Sequence, residues 1–185
     1  MDCKLHQAFR LCFKAHKNQE IESCSPSMPY SSHPIDVANK LRFVGGVTDE
    51  DMLAAAYLHD VLEFTDVTLA EIKEQFGERV AGLVLELTRR EPLDIEMEGK
   101  SDVERSELRS RMMLDEISRM GPDAQVIKLA DRLSNLVMAF QTRKGDRLTR
   151  YLAQTKRILE IIEPERNPAL WKAIDDLIPK PKFDV

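Results

Sequence analysis

At 185 residues, 43% hydrophobic and 32% charged, the chain suits one domain with a substantial core, which excludes fibrous and disordered classes. Its net charge of −5 argues against a general nucleic-acid binder, whose phosphate contacts require a basic surface. The N-terminus mixes charged and apolar residues where a signal peptide needs an apolar stretch, and no run approaches a membrane span, so a cytoplasmic protein without membrane or nucleic-acid partners is expected.

Along the chain, no window alternates at period two for long enough to predict a strand, so the expected fold class is all-α. Helices are predicted over roughly 3–17, 34–44, 49–64, 69–76, 78–90, 102–120, 123–142, 147–162 and 168–178. Thr48-x-x-Asp51, Thr68-x-x-Glu71 and Ser101-x-x-Glu104 have capping-box spacing. Gly45-Gly46, Gly77 and Gly121 fall where helices should stop, and Pro122 suits the first turn of the helix that follows. Two long loops are expected, a Ser- and Pro-rich one from Asn18 to Ser32 and an acidic one from Arg90 to Lys100. Residues 1–185 read as one domain, with 179–185 a fraying tail. Cys3, Cys12 and Cys24 are odd in number and lack CxxC spacing, which predicts reduced thiols, two of them core filler. Met112, Met113 and Met120 read as core packing, Trp171 with Leu170 and Ile174 as the anchor of the last helix, and His6 and His16 as structural.

The most informative dipeptide is His59-Asp60, set in the apolar run Met52 to Leu62. An imidazole beside a carboxylate is costly to bury unless the two are paired, hydrogen-bonded or bound to a metal. Metal ligation predicts further ligands elsewhere, and His33 and Asp131 are the candidates, giving two histidines and two aspartates. Mixed ligands of this kind suit Mn, Fe, Co or Zn and leave positions open for water or substrate. Residues four apart share a helix face, so Glu63 aligns with His59, placed to orient or deprotonate a water, and Asn135 aligns with Asp131, with Lys128 on the same stripe. The plain alternatives are a buried ion pair for the cluster, a surface carboxylate for Glu63 and a helix-end hydrogen bond for Asn135. From Arg143 to Arg157 six basic residues face one acid, Asp146, which reads either as a solvated face or as a polyphosphate contact.

The arrangement His33, His59-Asp60, Asp131 resembles the H…HD…D signature of HD-domain metal-dependent phosphohydrolases. The blocks Pro29-Tyr-Ser-Ser-His-Pro34, Ala56-Tyr-Leu-His-Asp-Val-Leu-Glu63, Phe76-Gly-Glu78 and Lys128-Leu-Ala-Asp-Arg-Leu-Ser-Asn135 resemble the hydrolase domain of RelA/SpoT proteins, and the chain, over about residues 7 to 162, is similar to a free-standing small alarmone hydrolase. The resemblance implies a helical HD-domain bundle holding Mn2+, or another divalent metal, through His33, His59, Asp60 and Asp131. It implies that Glu63 serves the attacking water and that Asn135 supports the water or the nucleotide. Substrates would be 3′-pyrophosphorylated nucleotides, guanosine tetra- and pentaphosphate, with Tyr30, Arg147 and Tyr151 at positions that contact the nucleotide; Lys128, from its place beside Asp131, is a further substrate contact, and Arg109 and Arg111 are weaker phosphate candidates. Two departures stand out. Phe64 follows Glu63 where the family has a second acid, and no Lys or Arg lies between Lys17 and Lys40, where guanosine-specific members carry cations against the base. Adenosine alarmones, (p)ppApp, are therefore the alternative substrate; an HD phosphohydrolase of 5′-nucleotides and a catalytically weak nucleotide sensor are the alternative functions. Homo-oligomerisation is left open.

Overall fold

A computed structural model describes residues 3–21 and 27–179, so Cys24 and the tail beyond Pro179 lie outside it. The helices run α1 Lys4–Ala15, α2 Ser32–Phe43, α3 Glu50–Leu58, α4 Val61–Phe64, α5 Leu69–Phe76, α6 Glu78–Leu87, α7 Asp94–Met97, α8 Asp102–Arg119, α9 Pro122–Thr142, α10 Gly145–Ile161 and α11 Pro168–Leu177, with a 3-10 turn at Pro164–Arg166. Among the described residues none of these helices is long and apolar enough to cross a membrane.

Two helices organise the rest. In α3, Met52 to Ala56 and Leu58 are all buried, and a helix apolar on nearly every side must be surrounded. Its alanines let α1, α2 and α6 approach closely. In α9, burial runs from Ala124 to Ala139 on more than one face, and α2, α3, α6, α10 and α11 pack around it. The last helix closes the base: Leu170 and Ile174 are fully buried, and Trp171 Nε1 donates to the Leu159 and Ile162 carbonyls at 3.2 and 3.0 Å.

Capping boxes form at Thr68/Glu71 and Ser101/Glu104, and Pro122 opens α9. At the start of α3 the cap is Asp49 rather than Thr48, because the Asp49 carboxylate accepts from the Asp51 and Met52 amides at 2.9 and 3.1 Å. Arg79 then bridges Asp49 and Asp123, each at 2.8 Å, tying the N-terminal ends of α3 and α9 to α6.

Three differences from expectation matter. Glu20–Ile21 and Met28–Pro29 form a two-residue antiparallel ladder, Glu20 opposite Pro29 and Ile21 opposite Met28, too short to leave a period-two pattern. One helical turn, Asp94–Met97, sits inside the acidic loop, where the Glu96 carboxylate accepts from the Leu93 amide. The helix expected over 49–64 is broken at His59-Asp60.

Gly45 shows how tightly α11 is seated. A Cβ there would stand 2.7 Å from the Leu41 carbonyl oxygen and 2.8 Å from Leu170 Cδ1. Beside it, Asn167 caps α11 with its Oδ1 and donates from Nδ2 to the Gly45 carbonyl at 2.8 Å. Gly45→Ala is therefore expected to destabilise the fold by about 1–3 kcal/mol. Gly82, exposed within α6 and with nothing within 4 Å of a built Cβ, gives the opposite sign. Gly82→Ala should stabilise by about 0.5–1 kcal/mol. Urea midpoints of the two variants against the parent check both; equal midpoints for parent and Gly45→Ala would contradict the packing described.

Candidate functional site

Three helices meet at one buried cluster. His33 enters from the first turn of α2, where Pro34 presets the backbone; His59 and Asp60 come from the break between α3 and α4; Asp131 comes from the middle of α9. All four are less than a tenth exposed. In an unbroken helix, neighbouring side chains point about 100° apart. At the break, His59 Nε2 nevertheless lies 3.2 Å from Asp60 Oδ2. His33 Nε2 lies 3.7 Å from the same oxygen and 3.3 Å from Asp131 Oδ1, which is itself 3.9 Å from His59 Nε2. One ligand atom each from His33, His59 and Asp60 fall within 4.8 Å of one another.

Outer partners orient both imidazoles. His59 Nδ1 donates to the Ala56 carbonyl at 2.9 Å, which turns Nε2 inward, and there Nε2 is buried without a hydrogen-bond partner. His33 Nδ1 stands 3.3 Å from Ser134 Oγ. Ser134 gives its own proton to Asp36 Oδ2 at 2.6 Å, so its oxygen accepts from His33, and Lys40 Nζ donates to the same Asp36 oxygen at 2.5 Å. Histidines that hold metals typically carry such a second hydrogen bond. The orphaned, inward-facing His59 nitrogen and the mixed donor set together fit a divalent cation.

Electrostatics favours positive charge at the same point. Burial opposes ionisation of Asp60, yet His59 and His33 hold it at about 2; burial likewise opposes charging His59, yet Asp60 and Asp131 push it up to about 9. Asp131 stays well below the usual carboxylate range against its burial, chiefly through Lys128 Nζ at 2.8 Å.

His33, Asp60 and Asp131 of the cluster line a cavity of about 430 Å³. Tyr30 lines it too, with its hydroxyl donating to Asp60 at 2.7 Å; burial and then Asp60 push its ionisation far up. Glu63 faces the same space, and burial raises its pKa. Its Oε1 accepts from the Arg89 amide at 2.6 Å, and the Arg89 guanidinium stands 3.7 Å from Oε2. Asn135 donates to Asp131 Oδ1 at 2.5 Å, so both it and Lys128 reach the cluster through Asp131. Phe64, Arg109 and Tyr151 also line this cavity, Arg109 while paired with Glu91 at 3.4 Å. Arg147 is not gathered with them. It lines an adjoining cavity of about 980 Å³ that shares Ser106, Ser110, Arg143, Tyr151 and Gln154 with the first, while Arg111 lines a third, with Lys100, that meets both at Ser110.

Sequence reasoning missed Asp36, Lys40, Arg89, Arg132 and Ser134, and it placed Arg143 only within the basic stretch 143–157. The Ser134 link spans 101 positions, so no local spacing announces it. Arg132 and Ser134 lie inside the Lys128–Asn135 block and share its helix with Asp131, which is the signal that could have found them.

The HD domain family matches residues 8–159. Among curated relatives, mouse guanosine-3′,5′-bis(diphosphate) 3′-pyrophosphohydrolase MESH1 is 38% identical over 125 residues, covering 67% of this chain and 64% of that protein. The Drosophila melanogaster MESH1 protein is 32% identical over 164 residues, 86% of this chain and 82% of the relative. A probable guanosine-3′,5′-bis(diphosphate) 3′-pyrophosphohydrolase of Synechocystis is 38% identical over 136 residues, 72% of this chain but 16% of that much longer protein. A solved structure of a metazoan orthologue of SpoT, described as hydrolysing ppGpp and taking part in starvation responses, superimposes with a TM-score of 0.80 at 26% identity, covering 96% of this chain and 94% of that one. With most of its length matched in sequence and in fold, the chain belongs to the HD domain family.

Proposed function

We propose that the protein is a cytoplasmic, metal-dependent 3′-pyrophosphohydrolase of purine alarmones, (p)ppGpp, (p)ppApp or both. The observation that carries this reading is the cluster itself: His33, Asp60 and Asp131 line a cavity walled by Arg89, Arg109, Lys128 and Arg143, and behind them His59 Nε2 is buried with no hydrogen-bond partner, 3.2 Å from Asp60 Oδ2. A cation site beneath a cationic wall suits a polyphosphate, and the 3′-pyrophosphohydrolase names of the relatives support it.

In this reading His33, His59, Asp60 and Asp131 hold a divalent ion, with Mn2+ the proposed metal. When bound, the ion would lower the pKa of a water and draw charge from the scissile phosphoryl group. Glu63, its proton affinity raised by burial, accepts a proton from the attacking water at Oε2, since Oε1 is engaged by the Arg89 amide. Water adds to the phosphorus attached to the ribose 3′-oxygen, that P–O bond breaks, the departing 3′-oxygen takes up a proton to become the free hydroxyl, which balances the one Glu63 removed from water, and the products are pyrophosphate and the 5′-di- or triphosphate. Lys128 and Asn135 keep Asp131 ionised and aligned, and Tyr30 does the same for Asp60.

Three outcomes are expected. First, metal analysis of the purified protein should find about one divalent ion, lost in His59→Ala. Ser134→Ala should retain it with affinity lowered about 10–100-fold, the usual effect of losing an outer partner. Full metal content in His59→Ala would remove the site from this account. Second, Glu63→Gln should lower kcat about 10²–10⁴-fold with metal retained, the span for losing a positioned proton acceptor. Near-parental kcat in that variant would transfer the role elsewhere. Third, Ile21 and Phe64 line the cavity where no Lys or Arg is available between Lys17 and Lys40. Guanosine alarmones should therefore not be preferred over adenosine ones by more than about tenfold. A chromatographic competition between ppGpp and ppApp, with 5′-nucleotides alongside, measures this, and turnover of 5′-nucleotides alone would replace the reading with a different phosphohydrolase.

A further inference from the structure

Arg132 is the most unusual charge in the molecule. It is 5% exposed, and its Nη1 has no hydrogen-bond partner. Its Nη2 reaches only neutral groups, Gln154 Oε1 at 3.1 Å and Met113 Sδ at 3.6 Å. The amide of Gln154 is turned that way because its Nε2 donates to Ser110 at 2.9 Å. The guanidinium carbon lies 4.6 Å from the centre of the Tyr151 ring, and that ring carries a second guanidinium, Arg143, at 4.2 Å. Among the described residues neither arginine has a carboxylate within 4.0 Å, although acids outnumber bases in the chain by 32 to 27.

Stacking on an aromatic face offsets part of the cost of desolvating one guanidinium. Holding two like charges against one ring works the other way, and burying a cation without a counter-charge is unfavourable. Both penalties are lifted by an anion carrying two or more charges. Arg132 and Arg143 line the same cavity as His33, Asp60 and Asp131, and Arg143 and Tyr151 continue into the adjoining one. The planar fork of arginine matches phosphate oxygens in pairs.

We infer that Arg132 and Arg143, held by Tyr151, form a diphosphate clamp at the junction of the two cavities. The inference rests on the proposed alarmone substrate, which carries diphosphate at both ends. The clamp takes either the 3′-pyrophosphate that leaves or the 5′-diphosphate that stays.

The test is calorimetric binding of inorganic pyrophosphate, and separately of GDP, to the parent protein, Arg132→Gln, Arg132→Lys and Arg143→Gln, together with KM and kcat for ppGpp. Arg132→Gln and Arg143→Gln should each weaken at least one of the two ligands about 10–100-fold, the range for hydrogen bonds to charged groups. Arg132→Lys should restore only part of the loss, because it keeps the charge and not the fork. Loss confined to pyrophosphate assigns the leaving group, and loss confined to GDP assigns the 5′ end. If Arg132→Gln does not fold, as judged by its melting transition, Arg143→Gln decides, since Arg143 is exposed. Parental affinity for both ligands and parental KM in folded variants overturns the clamp while leaving alarmone hydrolysis intact. Arginine-dependent pyrophosphate binding in a protein that turns over no alarmone would keep the clamp and overturn the proposed reaction.

Discussion

The structure is arranged around the burial of two imidazoles against two carboxylates. Taking a carboxylate out of water costs several kcal/mol, and one hydrogen bond returns only about 1 kcal/mol net, so each acid needs several partners. Asp131 has Lys128, Asn135 and the His33 imidazole; Asp60 has Tyr30 and His59. Those partners come from α2, α9, the turn before α2 and the break after α3, and α2 packs against both α3 and α9. The core holds these helices at the separation the cluster needs, and the cluster explains why polar residues sit at positions an apolar core would otherwise claim.

Charge is distributed unevenly around that centre. The whole chain is acidic, yet the cavity above the cluster is walled by Arg89, Arg109, Lys128, Arg132 and Arg143, and the adjoining one adds Lys144, Arg147, Arg150 and Arg157. A local cationic funnel in an acidic protein draws small polyanions while the net charge discourages long ones such as nucleic acid.

Much of this was legible in the sequence, for reasons that also mark where it stopped. Helix ends with their own chemistry, Thr68 with Glu71 and Ser101 with Glu104, are found in place because capping is a local interaction. The break at His59-Asp60 left no such mark: the run Met52 to Leu62 is apolar on both sides of it, and the interruption is maintained by tertiary partners of the two residues. The four clustered residues were recognisable by type and order, and the structure brings them together. Their outer partners were not, because the hydrogen bonds from His33 to Ser134 and from Ser134 to Asp36 cross about a hundred positions. Arg147 illustrates the converse: a spacing that pairs it with Tyr151 on one helix does not specify which of two neighbouring cavities each side chain enters.

The alanines of α3 deserve a last consequence. Ala54, Ala55 and Ala56 are wholly buried, so the axis of α3 lies as near to its neighbours as methyl groups allow. The carbonyl that receives the His59 Nδ1 proton belongs to Ala56. The methyl groups that set how closely α3 packs thus also set where the Ala56 carbonyl stands, and a larger side chain along this stretch would act on the orientation of the His59 ring without touching a polar group.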